Sequence, residues 1–306
     1  MLLYILRRLL SIIPVLFGIS LVLFFLLRAL PGDPAQVIAG ELATQQEVEL
    51  IRQQLGLDEP VYIQYAKFLN RLVHFDLGKS TRTQYPVTQE IAPRLLNTVI
   101  LAVAATFLAC LFGIPAGIIA AVKPYTTLDM VVTALALFGM SMPAFWLGLM
   151  LIIIFSVKLK LLPVGGSGGF VYLILPTITL AAALVAVVAR NTRSAMMEVL
   201  AQDYITTARS KGVVEKMVIL RHGLKNAFIP VITVIGLQFG TMLGGTVLTE
   251  TVFAWPGLGR LLISSILARD YPVIQGAILI FALLFVLTNL LVDLTYAYFD
   301  PKVRYE

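Results

Sequence analysis

Six stretches of this chain are long and apolar enough to cross a lipid bilayer, and they decide what it can fold into. They are Leu9–Leu27, Leu95–Val122, Met130–Val157, Tyr172–Ala189, Asn226–Thr249 and Tyr271–Val292. A spanning helix needs about 20 predominantly apolar residues. In hydrocarbon every backbone N–H and C=O must be satisfied within its own segment, so each run is read as a helix. Composition agrees: 59% of residues are apolar and 13% charged, against about a quarter charged in soluble domains. The expected fold class is all-α, a polytopic membrane protein with six transmembrane helices. The first run is too long for a cleavable signal, and no small-x-small site follows it. The single cysteine, Cys110, allows no internal disulfide and reads as a small buried residue.

The net charge of +6 does not form one basic patch. Arg7, Arg8, Lys123, the polar segment Asn191–Asn226 and the tail with Lys302 and Arg304 all fall on one side if the amino terminus is cytoplasmic. That is the positive-inside pattern, and it accounts for the charge better than nucleic acid does. Lys158, Lys160, Arg260 and Arg269 remain outside, so the bias is incomplete. Three segments follow: 1–94, the first spanning helix with an extracytoplasmic helical part; 95–294, a five-helix core interrupted by the 191–226 loop; and 295–306, a cytoplasmic tail.

The outer segment is patterned. Thr44-Gln45-Gln46-Glu47 is a capping box, and Gly56 is placed to stop the helix after it. Pro60 opens a second helix with Val61, Tyr65, Phe68, Leu69 and Leu72 on an apolar face. The pair reads as a small cap on the spanning helices, as a landing surface for an external partner, or as both.

Prolines at Gly113-Ile114-Pro115-Ala116-Gly117 and Ser141-Met142-Pro143 interrupt the second and third runs. Each frees a carbonyl and bends its helix, and the bends are either functional hinges or static features. Ser141 and Pro143 are candidate gate residues. In the fifth run Gly236, Gly240 and Gly244 share one face and permit close helix approach, either within the chain or against a second subunit. Glu250 lies near the outer boundary, where it either faces a polar path or marks the helix end. Trp255 suits the interfacial aromatic belt, and Pro256-Gly257 ends the helix.

Enzyme chemistry finds no support. His74 and His222 fall on opposite sides of the membrane, and no metal-ligand spacing is present. Gly78-Lys79-Ser80 resembles the end of a phosphate loop, but Val73 occupies the place of the first glycine. Gly165-Gly166-Ser167-Gly168-Gly169 reads as a flexible connection. The spanning runs carry almost no ionisable group at mid-depth, unlike the path of an ion-coupled carrier. Energy for transport would therefore come from outside the chain.

That points to the polar 191–226 loop. Asp203 to Lys211 suits a helix with Gly212 as its stop, and a second short helix over Val213 to about Lys225 makes a helix–turn–helix projection. By composition alone it is a solvated loop, a lipid-binding loop or a partner-docking device. Asp203-Tyr204-x-x-Thr207-Ala208-Arg209-x-Lys211-Gly212, followed by Leu224-Lys225-Asn226-Ala227-Phe228-Ile229-Pro230, resembles the coupling loop of binding-protein-dependent ABC importer permeases of the dipeptide/oligopeptide/nickel branch. Thr206-Thr207-Ala208 stands where the general family has Glu-Ala-Ala, so the leading acid is missing. The resemblance extends to Leu30-Pro31-Gly32-Asp33-Pro34, Leu55-Gly56-Leu57-Asp58-x-Pro60, Asp76-Leu77-Gly78-x-Ser80, Glu250-x-Val252-Phe253-x-Trp255-Pro256-Gly257-x-Gly259 and Asp300-Pro301-x-x-Arg304. The Pro-Gly-Asp-Pro segment and extended outer loop resemble the first of the two permease subunits.

The resemblance implies a type I permease in a bacterial or archaeal plasma membrane, with both termini cytoplasmic. It implies a second homologous permease, two cytoplasmic ATPases that bind the ATP, an extracytoplasmic solute-binding protein, and no cofactor on this chain. Asp203, Tyr204, Thr207, Ala208, Arg209, Lys211 and Gly212 would be the ATPase-coupling residues. The branch's substrates are dipeptides, oligopeptides, glutathione and nickel. A self-sufficient carrier or channel and a membrane scaffold or intramembrane enzyme are the other classes open to six apolar helices.

Overall fold

A computed structural model describes residues 2–29, 34–40, 43–54 and 56–299, with side chains described over most of them. Leu30-Pro31-Gly32-Asp33, Leu55 and the tail from Asp300, with Lys302 and Arg304, lie outside the described residues.

The chain starts with α1 (Leu2–Ala29) and then builds a lobe from α2 (Pro34–Ala39), α3 (Gln45–Gln54) and α4 (Val61–Val73). The capping box forms: the Thr44 amide donates to Glu47 Oε2 at 2.8 Å, and the Glu47 amide reaches Thr44 Oγ1 at 3.4 Å. These bonds hold the Glu47 carboxyl below its ordinary pKa, the Thr44 backbone bond foremost. Gly56 follows α3 at φ +66°, and Pro60 precedes α4 as its N-cap. Phe68 of α4 packs with Leu23, Phe24 and Leu27 of α1 and with Ile274 and Leu279. The lobe is therefore a cap seated on the ends of the first and last long helices.

Next come α5 (Val87–Val122), α6 (Thr127–Ser141), α7 (Ala144–Leu151) with a π-helical continuation Ile152–Lys158, and α8 (Phe170–Leu200). Then α9 (Asp203–Ser210), α10 (Glu215–Met217) and a π-helical stretch Val218–Leu224 lead into α11 (Lys225–Val252), α12 (Leu258–Leu267) and α13 (Tyr271–Phe299). Among the described residues, five helices are long and apolar enough to cross a membrane, and the bent pair α6–α7 makes a sixth span when counted as one. That third span is broken by 99°. Pro143 has no N–H to continue the helix and pushes Met142 to an extended conformation, φ −79° and ψ 126°.

The boundaries differ from the sequence reading most at two places. Helix α5 starts at Val87, not Leu95, so the division expected after residue 94 falls inside it; polar Thr88, Gln89, Glu90 and Arg94 disguise its first turns. Helix α8 runs past Ala189 to Leu200, and residues 191–200 are helix and not loop. Apolar run length marks hydrocarbon thickness, whereas a helix continues for as long as its hydrogen bonds and packing allow.

Helices α5 and α8 share the largest helix pair contact. Gly113 and Gly117 make it close. A Cβ on Gly113 would stand 2.9 Å from Val185 O, and one on Gly117 would overlap Ala189 O. The glycines flanking Pro115 thus form a backbone-to-backbone seam, and α5 stays continuous through that proline. On the outer faces, Phe17, Val22, Phe107, Leu135 and Phe138 are exposed, the apolar surface that hydrocarbon covers.

Candidate functional site

At one end of the bundle a hairpin projects beyond the long helices. Helix α8 ends at Leu200, and Gln202 turns the chain at φ −77°, ψ 150° into α9. Helix α9 closes with a Schellman motif: Gly212 N–H donates to Arg209 O at 3.0 Å and Val213 N–H to Ala208 O at 3.3 Å. The motif needs a left-handed residue, and Gly212 supplies it at φ +78°. Buried Ile205, Ala208 and Val218, with Leu200 and Val213 against them, form the hairpin's own small core.

Two polar ties fix the arms. Arg209 donates from Nε and Nη2 to the Glu215 carboxylate at 3.1 and 2.7 Å, and this bonding raises the Arg209 guanidinium above its ordinary pKa. Asn226 Nδ2 donates to Tyr204 Oη at 2.9 Å, joining α9 to the root of α11. The second arm is not a separate helix ending near Lys225. Its π-helical stretch passes into α11 with helical dihedrals at Lys225, φ −56° and ψ −40°.

The structure brings all the expected coupling residues together. Asp203, Tyr204, Thr207, Arg209, Lys211 and Gly212 are exposed on the hairpin, while Ala208 faces its core. Val214, Met217 and Leu220 are exposed apolar residues on the same projection. Sequence reasoning passes over them, although apolar residues within a basic loop are an available signal. It also misses the bidentate pair that anchors the base: Arg193 Nε and Nη2 donate to Asp129 at 2.6 and 2.7 Å. Asp129 is buried and also accepts the Tyr125 amide at 2.9 Å, so the start of α6 is bolted to α8 beside the hairpin.

At the opposite end the Glu250–Gly259 stretch forms a buried knot. Glu250 has no exposed surface. Its Oε1 accepts from Thr98 Oγ1 at 2.6 Å and its Oε2 from the Arg260 amide at 3.0 Å. Thr98 Oγ1 in turn accepts the Leu258 amide at 2.8 Å. Asn97 Nδ2 donates to Pro256 O at 2.9 Å, and Trp255 Nε1 to Asn97 O at 3.1 Å. A Cβ on Gly257 would overlap the Glu250 carboxyl, so the turn closes only over a glycine. Trp255 does not sit in an interfacial belt. It is 6% exposed, packed with Leu101, Ala105, Leu180 and Ala181, because Asn97 satisfies its indole N–H inside the bundle. The 165–169 connection is tethered too: Gly166 N–H donates to Phe253 O at 2.8 Å, and a Cβ on Gly165 would overlap that oxygen.

Ser141 and Pro143 lie at the α6–α7 break, where Ser141 Oγ donates back to Leu137 O at 2.9 Å. Glu250's hydrogen-bond partners in α5 and at the start of α12 do not include them. On α11, Gly236 lies against Val292 and Gly240 against Phe285 and Thr288 of α13, while Gly244 faces open space. Two members of that stripe thus pack within the chain and one does not.

Comparison with known proteins gives this arrangement its context. A model of the family described as "Binding-protein-dependent transport system inner membrane component" matches residues 113–305, and one for the N-terminal part of such membrane components matches residues 1–102. The chain is 50% identical over 306 residues, all of both chains, to the glutathione transport system permease protein GsiC of Escherichia coli K12. It is 49% identical, over the same full lengths, to GsiC of Shigella boydii. Among solved structures, an inward-facing MetNI methionine ABC transporter aligns with a TM-score of 0.62 at 17% identity, covering 70% of this chain and 97% of that one. An amino acid ABC transporter structure with histidines aligns at 0.56, also at 17% identity, covering 69% and 94%. Those two likenesses speak to the fold, and the family matches and full-length relatives to descent. The chain belongs to the binding-protein-dependent transport system inner membrane components, the multi-pass permease subunits of ABC importers.

Proposed function

We propose that this chain forms half of a path carrying glutathione, or a chemically similar small peptide, into the cell. A second homologous permease completes the path, two cytoplasmic ATPases bind and hydrolyse the ATP, and an extracytoplasmic solute-binding protein delivers the cargo. The 203–212 hairpin docks into a groove on one ATPase, with both termini on that cytoplasmic side and the 34–86 lobe outside. The observation that carries the substrate is the 50% identity, end to end, with a glutathione permease. The hairpin supports the coupling role because it is exposed at its tip, internally braced, and continuous through α8 and α11 with two spanning helices. A braced projection of this kind transmits displacement and has little freedom to absorb it.

The α6–α7 break at Ser141–Pro143 is the gate element in this reading. Glu250 is assigned to a structural knot and not to the path, on the support of its complete burial. The stripe divides likewise, with Gly236 and Gly240 serving the chain's own packing and Gly244 left for the second permease.

The test is purification of the tagged chain in mild detergent from its native membrane, followed by reconstitution into liposomes. The expected result is co-purification of a second permease and ATPases, with ATP-dependent glutathione uptake that requires a binding protein. A chain that purifies alone and carries out uptake without ATP would overturn the reading in favour of a self-sufficient carrier. Uptake of nickel and not glutathione would keep the class and overturn the substrate.

A further inference from the structure

The lobe encloses chemistry that capping does not require. Between α1, α3, α4 and α13 lies a cavity of about 410 Å³, lined among others by Phe24, Arg28, Gln64, Arg71 and Gln275. That volume is within the range of small-molecule sites, about 300–1,000 Å³. Phe68, Arg71 and Gln275 also line a second cavity of about 350 Å³, together with Asp76 and Lys79.

Arg28 is held ready. Its guanidinium stacks on the buried Phe24 ring at 3.6 Å from the centroid. Its Nε donates to Gln64 Oε1 at 3.1 Å, with Nη2 on the same oxygen. Gln64 is fixed in turn by its own donations to Leu57 O at 3.0 Å and Glu59 O at 2.7 Å. Among the described residues, no acceptor takes the face of Arg28 that Gln64 does not use.

Each neighbouring acid has at least one oxygen committed elsewhere. Glu59 Oε1 takes Lys67 Nζ at 2.5 Å, Asp76 Oδ1 takes the Gly78 amide at 2.8 Å, and Asp270 takes the Ser80 hydroxyl and the Thr81 amide. Arg71 has no acidic partner among the described residues. Arg28 and Arg71 thus share one cavity with Lys67 and a single carboxylate, Glu59, whose Oε1 is taken by Lys67 and whose Oε2 has no partner among the described residues, and neither guanidinium is paired with an acid among them. Such a pair is matched by a planar oxyanion, which a guanidinium binds through paired N–H donors.

We propose that Arg28 and Arg71 form an oxyanion subsite that takes a carboxylate of the small-peptide cargo before it enters the bundle; a phospholipid phosphate offers the same chemistry from a second source. The peptide assignment rests on the transport reading above, whereas the subsite itself does not. Glutathione carries two carboxylates, suited to one cavity with two guanidinium groups.

The test follows arginine modification by phenylglyoxal, residue by residue, using mass spectrometry. The sample is the full chain with its co-purifying subunits in nanodiscs, made with phosphatidylcholine alone or with added phosphatidylglycerol. In phosphatidylcholine, millimolar glutathione is expected to slow modification of Arg28 and Arg71 severalfold. Glutathione dimethyl ester, neutral at both carboxylates, leaves the rates unchanged, and the exposed Arg269 outside the cavity serves as the unaffected control. In the Arg71→Gln variant, protection of Arg28 by glutathione is lost. Protection by phosphatidylglycerol alone upholds the subsite and assigns it to lipid. No protection by either, or equal slowing at Arg269, overturns it. Uptake measured on the same complex reconstituted into liposomes separates the two readings. Protection without glutathione uptake keeps the subsite and sinks the transport reading, and uptake without protection does the reverse.

Discussion

The hairpin at one end of the bundle and the knot at the other are built on opposite terms. Both interrupt regular helix with a tight turn, and both depend on glycine. In the hairpin, Gly212 serves by its backbone angle alone: a Cβ there would meet nothing within 4 Å. In the knot, Gly257 and Gly165 serve by their lack of bulk, because the Glu250 carboxyl and the Phe253 carbonyl stand where a Cβ would go. The hairpin presents its polar groups outward. The knot turns Glu250, Thr98 and the indole of Trp255 inward and satisfies them with one another or with backbone. An exposed turn can trade its contacts for those of a partner, whereas a sealed one fixes the geometry against which the rest moves.

Substitutions test that contrast, the largest expected effect first. Glu250→Ala strands the Thr98 hydroxyl and the Arg260 amide; at about 1–3 kcal/mol for each buried unsatisfied group, it should destabilise by about 3 kcal/mol. The check is a lowered melting temperature and poor accumulation in the membrane. An unchanged melting temperature would break the comparison, since the knot would then be no anchor. Gly165→Ala drives a methyl into the Phe253 carbonyl and should cost about 2 kcal/mol, within the usual range for overpacking, read by the same thermal assay. Gly212→Pro removes the bond to Arg209 O and forbids the positive φ. Its damage should stay within the hairpin: near-normal accumulation, with ATP hydrolysis no longer stimulating uptake. Normal coupled uptake would deny the hairpin its coupling role. Gly244→Ala should leave the stability of the isolated chain within about 0.5 kcal/mol of wild type, as for most surface changes. If it weakens pull-down of the second permease while Gly236 variants act only on stability, the division of the glycine stripe is sharpened.

The contrast also explains what is legible in the sequence. The hairpin is local: Asp203, Gly212 and the apolar Ile205 and Ala208 lie within one short window, so propensity and capping rules reach them. The Thr44–Glu47 box and Pro60 are readable for the same reason. The knot is non-local. Nothing near Glu250 announces Thr98, which is 152 residues away in the chain, and so a carboxylate at a helix end looks equally like a path residue or a boundary marker. Trp255 reads as an interfacial residue because a tryptophan's surroundings are set by distant packing. The Asp129–Arg193 pair escapes for a related reason: each residue looks like a flanking charge beside a separate apolar run. Helix ends past Ala189 and before Leu95 stay hidden because hydropathy reports where lipid stops.

The glycine seam between α5 and α8 has a mechanical consequence. With backbones this close at Gly113 and Gly117, the two helices have no side-chain layer in which to slip. They form one double-walled strut, and α5 alone, at 36 residues, is about 54 Å long at 1.5 Å per residue. One end of that strut carries the hairpin's first arm, and the other packs through Val87 and Ile91 against Leu258, Leu261 and Val273 of α12 and α13. In the proposed coupling role, a shove at the hairpin would reach α12 and α13 as tilt of a stiff beam, in a single stroke, with no chain of side-chain rearrangements to carry it.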